Sequence, residues 1–154
     1  MKILVPDDGS AVSNRAFDKA LELAKLLDYE IVLLHIIDLG SLQSNLILKN
    51  IDKKSELESA RLQLLSYLKV GAESMLKGKV QKAKETGIKI RFTLGMGSTP
   101  EGIVSVAKSE NAAFIVMGSR GLTSEEDEPS RIRLLGSVAR RVTELSDCPV
   151  MVVK

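Results

Sequence analysis

The sequence predicts an α/β fold in three layers, a doubly wound, five-stranded parallel sheet with helices on both faces. Two observations carry this. Short apolar runs alternate with longer stretches of helical period, the order of a parallel sheet joined by right-handed crossovers. Three of the runs, Ile3-Leu4-Val5, Ile31-Val32-Leu33-Leu34-His35-Ile36-Ile37 and Ala113-Phe114-Ile115-Val116-Met117, are apolar without alternation, as strands covered on both faces are. With 154 residues, 44% hydrophobic and 27% charged, the chain is long enough to bury one core, and residues 1–154 read as a single domain.

The first strand, residues 3–5, is closed by Pro6-Asp7-Asp8-Gly9-Ser10, the punctuation of a turn after a buried strand. Ser10 can cap the next segment, where Ala16, Ala20, Leu23, Ala24 and Leu27 recur at helical spacing over residues 11–28. Strand two, 31–37, ends at Asp38. No period dominates 39–52. Residues 53–86 then form one long helix, with a kink expected near Gly71 or Gly78. Residues 88–94 alternate apolar and polar, the mark of a strand at a sheet edge or with one wet face. Thr99 serves as a cap and Pro100 as the first residue of a helix that runs to about residue 111. Strand four, 113–117, delivers the chain into Gly118-Ser119-Arg120-Gly121. A last helix carries Ile132, Leu135, Val138, Ala139, Val142 and Leu145, and Pro149-Val150-Met151-Val152-Val153 closes the chain as strand five.

Several function classes are disfavoured by composition. A net charge of +2, from 22 basic and 20 acidic residues, sets up no strong field for nucleic acid or anionic lipid. Aromatic residues at 3% leave little on which to stack bases. No apolar segment approaches membrane-spanning length, and the amino terminus enters a strand without a cleavable leader pattern, so a cytoplasmic location is expected. The single cysteine, Cys148, excludes an intrachain disulfide and reads as a small buried filler. His35, the one histidine, lies inside an apolar strand and reads as a packed residue with a satisfied hydrogen bond.

Two strand ends carry the candidate chemistry. Asp7-Asp8 follows strand one and Gly118-Ser119-Arg120-Gly121 follows strand four, and in a doubly wound sheet these strands can flank the point where strand order reverses. Glycines let backbone approach a phosphate, and a helix amino terminus at Gly136-Ser137 would offer free N–H groups and a partial positive charge. A carboxylate such as Asp8 can accept hydrogen bonds from ribose hydroxyls. Other motifs fail. Gly95-x-Gly97 is followed by Pro100 where a dinucleotide fingerprint needs glycine, and there is no Gly-Lys-Ser/Thr of a P-loop. A phosphoryl-receiver reading of Asp7-Asp8 lacks an acceptor aspartate after strand three, where the chain reads Leu94-Gly95-Met96-Gly97. Ser119 and Ser137 have no histidine to activate them, so no catalytic residue is assigned.

The runs 3–10, 33–38, 115–121, 136–138 and 148–153 together resemble the universal stress protein family over nearly the whole chain. That resemblance implies a Rossmann-like sheet of order 3-2-1-4-5 and a module for ATP or AMP, with Mg2+ or Mn2+ as companion cation, that acts in stress response or signalling with at most slow hydrolysis. It implies Pro6, Asp8 and the backbone at Ile37 around the adenosine, together with Met117, Gly118, Arg120, Gly121, Gly136, Ser137 and Val138, the glycines and Ser137 lying around the phosphates. It also implies a homodimer through the terminal strand, Val150–Val153. The family motif has nine residues between its second and third glycines; here 136 − 121 − 1 = 14 intervene, including the acidic run Glu125-Glu126-Asp127-Glu128, read as a solvated loop. A nucleotide-free dimeric interaction protein is the alternative.

Overall fold

A computed structural model of the chain describes residues 1–38, 54–121 and 135–154. Along them run β1 (Lys2–Pro6), α1 (Ala11–Leu27), β2 (Glu30–Ile37), α2 (Lys54–Glu85), β3 (Ile90–Met96), α3 (Thr99–Ser109), β4 (Phe114–Gly118), α4 (Ser137–Leu145) and β5 (Val150–Val153). The strands form one parallel sheet in the order β3-β2-β1-β4-β5, as expected from the sequence.

Successive side chains of a strand point to opposite faces, which explains why the central runs are apolar without a break. Ile3 and Val5 of β1, Ile31 and Leu33 of β2 and Val116 of β4 pack with Ala16, Phe17 and Ala20 of α1 and with Leu76 and Ala83 of α2. Leu4, Val32, Leu34, Ile115 and Met117 point the other way, onto Ile103 and Ala107 of α3 and Ala139 and Val142 of α4. The alternating strand, β3, lies at one edge beside β2, and β5 at the other beside β4.

Local chemistry sets the ends of the elements. Ser10 caps α1 as its residue type suggests, its hydroxyl accepting the Ser13 N–H at 3.0 Å. Asp28, at φ 55°, turns the chain out of that helix. Four expectations need correction. The backbone stays helical through Gly71 and Gly78, at both of which an added side chain would face open space, so nothing packed there demands a break. Ser98, not Thr99, is the cap residue of α3; its hydroxyl bonds to the Glu101 carboxylate instead of a backbone N–H, and Pro100 follows inside the first turn. Cys148 is half-buried against the α3–α4 cluster, with Sγ 3.4 Å from the Ser146 hydroxyl, because it precedes the edge strand rather than a central one. Leu135, expected on the last helix, precedes it and is exposed, and Ile132 lies outside the described residues. No helix among the described residues is long and apolar enough to cross a membrane.

At the amino end of the sheet an ion-pair network joins three elements to the end of a fourth. Glu110, just past α3, receives Lys2 Nζ of β1 at 2.9 Å and the Arg91 guanidinium of β3, which also reaches Glu30 of β2 at 3.2 Å. The Lys2 ammonium, helped by Arg91 and opposed by partial burial, holds the Glu110 carboxyl below its ordinary range. A carboxyl with a depressed folded-state value adds stability above the unfolded value, and that contribution disappears as pH falls through the folded one. Glu110→Gln should therefore lower the urea midpoint at neutral pH, and the difference from the parent should shrink as pH is taken below about 4. An equal deficit at neutral and acid pH would show that the network's charge is not what stabilises this end.

Candidate functional site

β1 and β4 are neighbours, with Ile3 opposite Phe114 and Leu4 opposite Ile115. Beyond β1 the chain turns at Asp7–Ser10 into α1, on one face of the sheet; beyond β4 it passes Ser119–Gly121 on its way to α4, on the other. Connections that leave adjacent strand ends toward opposite faces open a crevice between them. The cleft there has a volume of about 410 Å³. Its apolar wall is Pro6, Leu34, Ile36, Ile103, Met117 and Val138, and its polar rim includes Asp8, His35, Asp38, Thr99, Arg120 and Ser137. This is the size and composition of a small-molecule site.

The turn after β1 is built by its own side chains. Gly9 takes φ +83°, a conformation that a side chain would strain, and donates its N–H to Asp7 Oδ1 at 2.9 Å. Ser10 donates its N–H to Asp8 Oδ1 at 3.0 Å. The two aspartates then part company. Asp7 is buried: Oδ1 also accepts the Ser13 hydroxyl at 3.0 Å, Oδ2 pairs with the Lys79 ammonium of α2, and its carbonyl accepts the His35 Nδ1–H at 2.7 Å. Asp8 is half-exposed at the cleft and turned toward the glycine loop, since a Cβ placed on Gly121 would lie 2.8 Å from Asp8 Oδ2.

The loop after β4 is held just as closely. Gly136 donates its N–H to the Ser119 carbonyl at 2.8 Å, and a Cβ at Gly136 would stand 3.2 Å from that oxygen and 3.4 Å from Arg120 Cα. The two backbones therefore touch where the glycine loop passes the start of α4. Ser137 opens that helix, and its first N–H groups have no partner within the helix. A cleft with a carboxylate on one side and a glycine loop plus helix amino terminus on the other can accept from hydroxyls and donate to an anion.

Nine of the ten site residues expected from the sequence, Pro6, Asp8, Met117, Gly118, Arg120, Gly121, Gly136, Ser137 and Val138, line this one cleft. Ile37 does not: it is buried, its carbonyl accepts the Gly97 N–H at 3.1 Å, and Ile36 and Asp38 line the cleft on either side of it. Ser13, Asp38 and Thr99 also line the cleft and are not among the residues the sequence singles out. Asp38 was findable, because it closes β2 as the Asp7-Asp8 pair closes β1. Gly95 has a packing explanation, since a Cβ there would fall 2.3 Å from Ile36 Cδ1. His35 has the satisfied hydrogen bond expected of it and also borders the cleft; with Nδ1 donating to a carbonyl, Nε2 is the acceptor nitrogen of the neutral ring. The acidic run Glu125–Glu128 lies outside the described residues.

Fold and cleft together define a small doubly wound α/β module with a built crevice at the reversal of strand order. The model of the universal stress protein family matches residues 1–154, and the chain belongs to that family. A universal stress protein of Methanocaldococcus jannaschii, MJ0531, is 36% identical over 153 residues, which cover 99% of this chain and 81% of that protein. The solved structure of another protein of that organism, MJ0577, superposes with a TM-score of 0.82 at 29% identity, covering 99% of this chain and 94% of its own. A universal stress protein from Archaeoglobus fulgidus in complex with dAMP superposes with a TM-score of 0.65 at 24% identity, covering 100% and 98%, and likeness at that identity speaks for the fold alone.

Gly136→Val should destabilise the protein by about 1–3 kcal/mol, because its side chain meets backbone on both sides of the Ser119–Arg120 peptide. Gly121→Val meets only the movable end of the Asp8 carboxylate and should leave the unfolding midpoint nearly unchanged. Urea denaturation of the two variants checks the contrast, and equal losses would show that the contact at Gly136 is not the tighter one.

Proposed function

We propose that the chain is an adenine-nucleotide module, holding ATP or AMP in the cleft between the ends of β1 and β4. One observation carries the reading: Asp8, the Gly118–Gly121 loop and the start of α4 face one another across a single cleft of suitable volume. In this reading the apolar wall receives the base, Asp8 accepts from the ribose hydroxyls, and the backbone N–H groups at Gly121, Ser137 and Val138 with the Ser137 hydroxyl receive phosphate oxygens. Arg120 adds a positive charge at the rim. The backbone at Ile37 stands behind the base, and a divalent cation, Mg2+ or Mn2+, accompanies the triphosphate. The ligand proposed is of the same chemical class as the dAMP held by the universal stress protein from Archaeoglobus fulgidus. Hydrolysis, if measured, is expected to be slow, and the module acts in the cytoplasm by answering nucleotide levels in stress response or signalling.

Adding ATP with magnesium, or AMP, should raise the melting temperature of the native protein, since a ligand that prefers the folded state stabilises it. Asp8→Asn should weaken nucleotide binding by about 1–3 kcal/mol in calorimetry, as loss of a charged acceptor does, with the fold intact. No thermal shift with either nucleotide would favour the alternative, a nucleotide-free dimeric interaction protein.

The dimer is proposed through β5. Among the described residues this strand pairs with β4 alone, and Met151 is 40% exposed. An apolar edge of this kind invites a second strand, and two copies of Val150–Val153 running antiparallel would meet the need symmetrically. Light scattering at micromolar concentration should report twice the chain mass, and Met151→Lys should reduce it to one chain.

A further inference from the structure

No described side chain of helix α2 is among those that line the cleft, yet the helix grips the turn that forms one side of it. Lys79 Nζ pairs with Asp7 Oδ2, and of the two side chains Asp7 has 0% of its surface exposed and Lys79 14%. One helical turn earlier, on the same face, Met75 Sδ lies 2.9 Å from where a Cβ on Gly9 would stand. Asp7 in turn holds the neighbouring elements through the Gly9 N–H, the Ser13 hydroxyl of α1 and, by its carbonyl, His35 of β2. The charge of Lys79 also sits over the Phe17 ring, 5.5 Å from its centre. A fully buried carboxylate deprived of its cation must move, recruit water or take up a proton. Asp7 is covalently next to Asp8, so any of these displaces the carboxylate that faces Gly121.

We infer that Lys79 is a positioning residue for the cleft, a cation on α2 that neutralises buried Asp7 and thereby fixes the Asp7–Ser10 turn so that Asp8 faces the glycine loop. Its consequence for binding rests on the nucleotide reading above; its consequence for the turn does not. Three native chains, the parent, Lys79→Gln and the double variant Asp7→Asn with Lys79→Gln, test it by two readouts. In the free proteins, amide exchange at Gly9 and Ser10 reports the turn, because these N–H groups are held by Asp7 and Asp8. Calorimetry with ATP and magnesium reports the cleft.

Lys79→Gln should speed exchange at both amides about tenfold or more and weaken ATP by a similar factor, while the double variant, in which the side chain at position 7 keeps an acceptor and carries no charge, should recover most of both. If Lys79 serves packing alone, Lys79→Gln lowers the melting temperature with exchange at Gly9 and Ser10 and the affinity of the folded protein unchanged, and the inference falls. It falls equally if the double variant behaves as Lys79→Gln does, for then neutralising Asp7 is not the function of the cation. Should the parent itself bind no nucleotide, the proposed function is overturned, and exchange at the two amides still decides the role of Lys79.

Discussion

Everything at the cleft depends on the pairing of β1 with β4. Each of the other adjacent strand pairs, β1–β2, β2–β3 and β4–β5, joins strands consecutive along the chain, whereas β1 and β4 are brought together from far apart in sequence, Leu4 opposite Ile115 and the Ala113 N–H on the Lys2 carbonyl at 2.8 Å. Long-range parallel pairing carries a loop-closure cost that only extensive burial offsets. Here Ile3, Leu4, Val5, Ile115 and Val116 are all fully buried at the seam. The same seam sets two turns of opposite destination side by side, and that geometry, not any single side chain, makes the crevice.

The fold was legible because its signals are redundant. Continuous apolar runs at residues 3–5, 31–37 and 113–117 need helices on both faces, and the one alternating run, β3, landed at an edge of the sheet, half-buried over most of its length. The boundaries that shifted did so for tertiary reasons. β3 continues to Met96 because β2 is long enough to pair with it, Ile37 opposite Met96. Ser98 displaced Thr99 as cap because a hydroxyl engaged by Glu101 needs no backbone partner.

The candidate site was legible in its positions and less so in its physics. Strand ends and glycines pointed to Asp8, the Gly118–Gly121 loop and Gly136-Ser137, and the family resemblance added Pro6, Met117 and Val138 at the same cleft; yet the glycines do more than admit a ligand. Gly136 is small because the Ser119–Arg120 backbone passes against it, and Gly95 because Ile36 fills its place. Asp7 and Asp8 look alike as a dipeptide, and the arrival of Lys79, 72 residues later in the chain, helps to set a buried carboxylate apart from a half-exposed one. No local pattern encodes that meeting, since it depends on the rotation and register of α2 against the sheet.

The hydrogen bond from Gly136 to the Ser119 carbonyl has a consequence for how such a chain can vary. It clamps both ends of the connection between β4 and α4, so the ends keep their geometry whatever number of residues joins them. For a flexible connection, lengthening from nine to fourteen residues costs only about 0.4 kcal/mol of closure entropy. A pinned gate of this kind makes the intervening stretch a replaceable insert. Its length and charge can change while the two ends that line the cleft stay where they are.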